Sequence, residues 1–288
     1  VQLWRKGGVA PSQYESGCGE FYCVVSRWRC TRYAAEDNSA HCNFASQVQH
    51  ARTPQEERIQ MGQSAKVQVT DPELSLLDGL PVAVISDVMD GLGFGSAVMD
   101  GVRLLSGHRI CGRARTVERA PAPFNATQAD IAPALGTGTQ QVIDSGKPGD
   151  VIVIAAQGNG GSAMWGGNMG TRASALGVLG LVTDGVVRDL EEMDALGLTI
   201  FGGGQSPRQA YKRMITRSIN QPIACGGVWV RPGDLIVGDG DGVVVVPPAR
   251  AAEIAEKARA TIAAEGVMQK FIREGNSLVS AVEKYKIR

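Results

Sequence analysis

The sequence predicts a glycine-rich α/β body with a mixed sheet, and three features carry that prediction. Short β-branched apolar runs, Asp150-Val-Ile-Val-Ile-Ala155 foremost, have the length and composition of buried strands. Between Asp150 and Phe201 such runs alternate with helical segments, the order of a β-α-β portion. Beyond Gly227 the strands are joined by Arg231-Pro-Gly-Asp234 and Asp239-Gly-Asp-Gly242, turns that fit hairpins and add an antiparallel portion.

The elements follow in order from Met61. Pro81 to Gly93 reads as a first helix, with Ser86 and Asp87 near its start and Gly91 and Gly93 closing it. A strand is predicted around Arg113 to Glu118 and a helix near Ala126 to Leu135. The turn Gly146-Lys-Pro-Gly149 enters the strand Asp150 to Ala155, and a glycine loop from Gly158 to Gly161 leads into a helix ending near Gly177. Val178 to Thr183 is a second buried strand; Asp184-Gly185 turns it into a helix from Arg188 to Leu196. Leu198 to Phe201 is strand, stopped by Gly202-Gly-Gly204. Gly227 to Val230, Leu235 to Val237 and Val243 to Val246 are the hairpin strands, and Ala249 to Arg273 is a long, alanine-rich amphipathic helix. No internal repeat interrupts this order.

Composition narrows the function. The 288 residues hold 29 basic and 29 acidic side chains with no long run of one sign, so nothing offers an electrostatic footprint for nucleic acid or an anionic membrane. No apolar stretch approaches the roughly 20 residues that span a bilayer. The expectation is a soluble, cytoplasmic protein. The character of the chain changes near Met61. Residues 1–60 lack Met and periodicity, and hold Cys18, Cys23, Cys30, His41 and Cys42. Zinc favours such donors, but the tight Cys pairs of a zinc motif are missing. Residues 1–60 are therefore expected to be a disordered extension, whose origin, native or upstream of a start at Met61, the sequence leaves open, and 61–288 a single catalytic domain.

The body's side chains exclude several chemistries. It has one histidine, His108, flanked by Gly107 and Arg109 as in a turn, and two cysteines, Cys111 and Cys225, so no His/Cys metal cage can form from it. No Gly-x-Ser-x-Gly elbow accompanies His108. Its lysines, Lys212 among them, sit in polar turns, helix faces or the tail, not in apolar strands where an amine would lose its proton. Carbonyl chemistry would fall to carboxylates and a hard cation, for which oxygen donors suit Mg²⁺ or Mn²⁺. Asp239 and Asp241 resemble calcium ligands, but without an acid closing a 12-residue loop they read as hairpin turn residues.

The glycine loop admits two readings. Gly158-Asn-Gly-Gly-Ser-Ala163 satisfies a Gly-x-Gly-x-x-Gly/Ala dinucleotide fingerprint, with Asp184 where a ribose-binding acid would stand. Gly166, Gly167, Gly170 and Trp165 fit poorly in the tightly packed helix that fold needs. The second reading uses Gly167, twenty intervening residues, Arg188-Asp189, two more and Glu192. With this signature the sequence resembles the RraA-like proteins, and within them the metal-dependent 4-hydroxy-4-methyl-2-oxoglutarate / 4-carboxy-4-hydroxy-2-oxoadipate aldolases. Gly112-Arg-Ala-Arg-Thr-Val117, Lys147-Pro-Gly-Asp150, Gly180-Leu-Val-Thr-Asp-Gly-Val-Val-Arg-Asp189, Pro232-Gly-Asp234 and Asp241-Gly-Val-Val-Val-Val-Pro247 agree with it. The resemblance runs from about Asp78 to Leu278 and leaves residues 1–60 uncovered.

The resemblance implies a swivelling β/β/α-type sandwich with mixed sheets and a long C-terminal helix, assembled as a trimer or a hexamer. It implies a class II pyruvate aldolase that cleaves a 4-hydroxy-2-oxo diacid to pyruvate and a second 2-oxo acid, with oxaloacetate decarboxylation as a side activity. Asp189 would be the direct ligand of Mg²⁺ or Mn²⁺, Glu265 of a neighbouring subunit would join through water, and Arg188 would stabilise the enolate oxygen. Gly167, Asn168 and Met169 start a helix whose free amides would suit the carboxylate of a 2-oxo acid. The family's namesake branch, which inhibits a ribonuclease by protein contact, gives the competing expectation of a non-catalytic binding protein. That branch lacks the metal-binding aspartate, which this chain keeps as Asp189.

Overall fold

A computed structural model of the chain describes residues 71–95, 97–122 and 137–286. Residues 1–60 and their zinc reading, and the helix expected near Ala126 to Leu135, lie outside the described residues.

The strands predicted as apolar runs are buried on both faces, which is why they read as continuous rather than alternating. They form one mixed sheet. Its centre is β2 (Ile110–Pro121), β3 (Asp150–Ala155), β4 (Gly180–Thr183) and β6 (Thr199–Gly202), all parallel, with β1 (Arg103–Ser106) antiparallel on the β6 edge. On the other side, the first half of β2 pairs antiparallel with β11 (Leu235–Asp239), and its second half with β8 (Met214–Ile219). β12 (Gly242–Val246) closes a hairpin with β11 through the predicted Asp239-Gly-Asp-Gly turn. Two small pairs stand apart from this sheet: β5 (Val186–Val187) with β7 (Gly204–Gln205), and β9 (Ile223–Cys225) with β10 (Val228–Val230).

Side chains of successive residues enter different cores, as the period of two in a strand requires. Val151 and Val153 of β3 join Phe201, Ile236 and the β9–β10 hairpin on one face, and Ile152 and Ile154 join Val142, Met164, Trp165 and Met193 on the other. Leu235, Val237, Val244 and Val246 meet helices α1 (Pro72–Leu77), α2 (Val82–Gly91) and α6 (Ala251–Arg273). Helices α3 (Gly138–Asp144), α4 (Gly167–Ala175) and α5 (Leu190–Ala195) lie by the second core, and α7 (Leu278–Tyr285) packs on α6. Each fully buried Val or Ile stabilises the fold by about 1.5–3 kcal/mol.

The mixed α/β sandwich and the long C-terminal helix are as expected, with two differences in detail. Arg231 to Asp234 does not join a hairpin: β10 pairs with β9, and the turn carries the chain across to β11. It matches the turn Lys147 to Asp150. In both, a Pro-Gly pair places Gly149 (φ 88°) or Gly233 (φ 90°) in the left-handed region, and the Asp150 or Asp234 carboxylate accepts the Lys147 or Arg231 N–H. The second difference is that the glycine loop does not enter its helix directly, because α4 begins only at Gly167.

Candidate functional site

Two stretches of chain run side by side and end together. Ala163 bridges to Val186, the Met164 N–H donates to the Val186 carbonyl at 2.8 Å, and the Arg188 N–H donates to that of Trp165 at 3.1 Å. Segment 163–165 is thereby added to β5 as a short extra strand, and the starts of α4 and α5 emerge next to each other. Trp165 and Met164, each 1% exposed, anchor the junction, with the Trp165 indole N–H donating to Met193 Sδ.

Asp189 turns the corner into α5 with φ 59° and ψ 38°, a left-handed conformation that costs a non-glycine residue about 1 kcal/mol. Its carbonyl starts the helix by accepting from the Glu192 and Met193 N–H groups. Its carboxylate does not cap the helix; it crosses to α4, where Oδ2 accepts the Gly167 N–H at 2.9 Å and lies 3.4 Å from Arg188 Nε. Among the described residues nothing donates to Asp189 Oδ1 or to the Glu192 carboxylate.

The motif spacing now has a steric explanation. A Cβ on Gly166 would lie 2.8 Å from Asp189 Oδ2 and 2.9 Å from Arg188 Nε, and one on Gly167 would lie 1.9 Å from Glu192 Oε2. Both acids and the guanidinium rest directly on glycine backbone. Twenty residues separate Gly167 from Arg188 because the chain completes α4, crosses through β4 and returns along β5.

Gly167, Asn168, Met169, Arg188, Asp189 and Glu192 all line one cavity of about 840 Å³. Two of the three amides at the start of α4 already have partners: Gly167 gives its N–H to Asp189, and Met169 gives its own to the Gly166 carbonyl. The expected set of free amides is therefore not found. Glu265, half-buried on α6, is absent from this wall.

The cavity also holds residues outside the site motif. Arg119, Arg172, Tyr211 and Lys212 line it with Gln140, Asp144 and Gln209. Arg172 is paired with Asp144 at 2.7 Å. Lys212 is exposed, as its polar turn implied, so it lacks the desolvation an amine nucleophile needs. Arg119 is 8% exposed and burial pushes its pKa down; Nη1 donates to Thr139 Oγ1 and Nη2 to the Met214 carbonyl.

The remaining candidates have structural roles. His108 is exposed in the β1–β2 turn. Burial pushes the Cys111 thiol up to about 12 and the Cys225 thiol higher still, so neither serves as a nucleophile. Asp184 accepts N–H groups from Ala156 and Gly158, and Asn159 Oδ1 accepts those of Gly161 and Ser162. With α4 starting beyond it, the loop lacks the strand–loop–helix geometry of a dinucleotide site. Asp239 accepts the Asp241 and Val82 N–H groups and faces Arg109, as a turn residue does.

No cluster of three or more His, Cys, Asp or Glu side chains fit for a metal occurs among the described residues. Apart from Asp144, which is paired with Arg172, the cavity offers two hard carboxylates, Asp189 and Glu192, with uncommitted oxygens. That donor set fits Mg²⁺, which keeps several waters, and does not fit a closed zinc cage.

Comparison with known proteins gives consistent matches. The family model described as RraA-like, Aldolase/RraA, matches residues 82–245. A Halalkalibacterium halodurans protein named "Putative 4-hydroxy-4-methyl-2-oxoglutarate aldolase" is 34% identical over 207 residues, covering 72% of this chain and 90% of that one. The crystal structure of Streptomyces coelicolor RraAS2, described as an unusual member of the RNase ES inhibitor RraA family, superposes with a TM-score of 0.62 at 29% identity, covering 72% of this chain and 99% of that one. An uncharacterized protein from Pseudomonas syringae pv. tomato superposes with a TM-score of 0.61 at 30% identity, over 73% and 96%. No helix among the described residues is long and apolar enough to cross a membrane.

Proposed function

Since the chain belongs to the RraA-like family, in which aldolase names and a ribonuclease-inhibitor family both occur, we propose that it is the catalytic kind: a divalent-metal-dependent aldolase. Its substrate is a 4-hydroxy-2-oxo diacid, of the 4-hydroxy-4-methyl-2-oxoglutarate or 4-carboxy-4-hydroxy-2-oxoadipate type, cleaved to pyruvate and a second 2-oxo acid. The observation that carries this reading is the meeting of Arg188, Asp189 and Glu192 on the backbone of Gly166 and Gly167 in one cavity.

Asp189 and Glu192 would hold Mg²⁺ or Mn²⁺, which when bound supplies Lewis-acid polarisation of a keto oxygen. Arg188, fixed beside Asp189, places a permanent cation where negative charge grows on the 2-oxo oxygen as the carbon–carbon bond breaks. The positive end of α4 favours a carboxylate nearby. Trp165 and Met164, both buried, line the same cavity. Oxaloacetate decarboxylation places the same charge on the same oxygen and is the expected side activity.

We further place the site at a subunit interface of a trimer or hexamer, with Glu265 of a neighbouring subunit joining through water. Ile262, one turn before it on α6, is exposed as an interface would require. The test is pyruvate release from such a diacid by purified protein with Mg²⁺ or Mn²⁺. No release with either ion, or turnover unchanged in Asp189→Ala, refutes the proposal. Inactive protein that captured a ribonuclease would favour the binding role in which RraAS2's family is described.

A further inference from the structure

Three arginines have a buried Nε without a hydrogen-bond partner among the described residues: Arg109, Arg115 and Arg119. Two of them face carboxylates, Arg109 with Asp239 and Arg115 with Asp150, both at 3.5 Å. Arg119 faces none among the described residues. The acids that share its cavity are otherwise placed: Asp144 is with Arg172, Asp189 with Arg188, and Glu192 lies over Gly167. A buried cation without a counter-charge is costly, and an anion arriving at it recovers part of that cost.

The fold brings this cation to the cavity by a local irregularity. Arg119 lies on β2 where the register with β8 slips by one residue: Glu118 faces Ser218 but Arg119 faces Thr216, leaving Arg217 unpaired. Such slips re-aim side chains beside active sites. The guanidinium is held from both sides, by Thr139 of α3 and by the Met214 carbonyl of β8, so its fork is fixed in advance. Thr139 and Met214 are neutral partners. They orient the charge and do not cancel it.

We propose that Arg119 binds the second carboxylate of the substrate, the one remote from the 2-oxo group, and so selects 2-oxo diacids over 2-oxo monoacids. This rests on the reading of the cavity as a 2-oxo acid site, which Arg188, Asp189 and the start of α4 also line. Arg119 acts here as a specificity-determining residue and takes no part in bond cleavage.

The test is a calorimetric titration of the full chain, in Mg²⁺ buffer, with 2-oxoglutarate and with 2-oxopentanoate, which has the same carbon count and one carboxylate fewer. A hydrogen-bonded ionic contact predicts that the wild-type protein holds 2-oxoglutarate about ten- to a hundred-fold more tightly. Arg119→Gln should bring that ratio below about threefold, by weakening 2-oxoglutarate binding more than 2-oxopentanoate binding. Arg119→Lys keeps the charge without the fork and should leave part of the preference, which serves the test if the glutamine variant fails to fold. Equal wild-type affinities, or a preference that survives both substitutions, overturn the Arg119 assignment alone. Binding of neither acid by the wild-type protein overturns the 2-oxo acid site itself.

Discussion

Gly167→Ala puts a methyl group into the place of the Glu192 carboxylate. The new Cβ would lie 1.9 Å from Oε2 and 2.9 Å from Cδ, so the carboxylate has to withdraw by about 1.5 Å to reach ordinary contact. Glu192 is exposed and accepts no hydrogen bond from the described residues, so a rotamer change suffices, at about 0.5–1.5 kcal/mol. Alanine in the first turn of α4 offsets this by up to about 1 kcal/mol relative to glycine. The net change in stability should stay within about 1 kcal/mol, or about 4 °C in Tm for a domain of this size. Function should respond more strongly, because the displaced carboxylate no longer stands beside Asp189. A loss of about tenfold or more in Mg²⁺-dependent pyruvate release is expected. The assay is a double-mutant cycle with Glu192→Ala. With the carboxylate gone, the methyl group meets nothing at that distance, so Gly167→Ala should add little to Glu192→Ala. Losses that multiply, or a Gly167→Ala enzyme with normal turnover, would refute the steric account of the motif.

Other perturbations separate charge from architecture. Asp189→Asn keeps a residue that tolerates the left-handed conformation and Asp189→Gly removes the strain; both should melt within a few degrees of wild type and release no pyruvate, as calorimetry and a coupled assay would check. Arg113 beside Asp71 holds its carboxyl below the ordinary value of 3.8, and the same carboxylate caps α1. That stability is present above 3.8 and is lost as pH falls through the folded value. Asp71→Ala should therefore cost about 1–2 kcal/mol in urea titrations near pH 7, and the deficit should shrink in acid. Asp150 has the opposite sign, because burial holds its carboxyl above 3.8. Its contribution is present below 3.8 and is lost as pH rises through the folded value. The stability of Asp150→Asn relative to wild type should thus improve over that rise, and a flat difference from acid to neutral pH would contradict it.

Much of the fold is legible wherever a local rule and the tertiary structure agree. Asp150 to Ala155 is strand at the predicted residues because an apolar β-branched run behind a Pro-Gly turn has few other uses. The long helix is found at Ala251–Arg273, two residues from its predicted start. The missed elements owe their form to contacts distant in sequence. β8, Met-Ile-Thr-Arg-Ser-Ile, exists by pairing with the far half of β2, nearly a hundred residues away. Helix α1 is the exception, since its Asp-Pro-Glu start is a readable cap. At the site, Gly167, Arg188, Asp189 and Glu192 were visible because they share one motif. Arg119, Lys212 and Tyr211 were not, because only the fold carries β2 and the stretch before β8 to the same cavity.

The shared fold of proteins named for aldolase activity and for ribonuclease inhibition leaves the choice between roles to the cavity. A protein that acts through its outer surface has no need of charged groups gathered around a cavity, yet three such features gather here. Asp189 adopts a left-handed conformation at a helix start, at about 1 kcal/mol. Glu192 rests on a glycine with no donor toward it among the described residues. Arg119 is buried without a carboxylate among them. All three line a single cavity. A cation in that space would be drawn to the two acids, and an anion to the arginine. A substrate carrying carboxylates at both ends, bound beside a divalent metal, would meet all three demands at once, whereas a macromolecular partner on the surface would meet none.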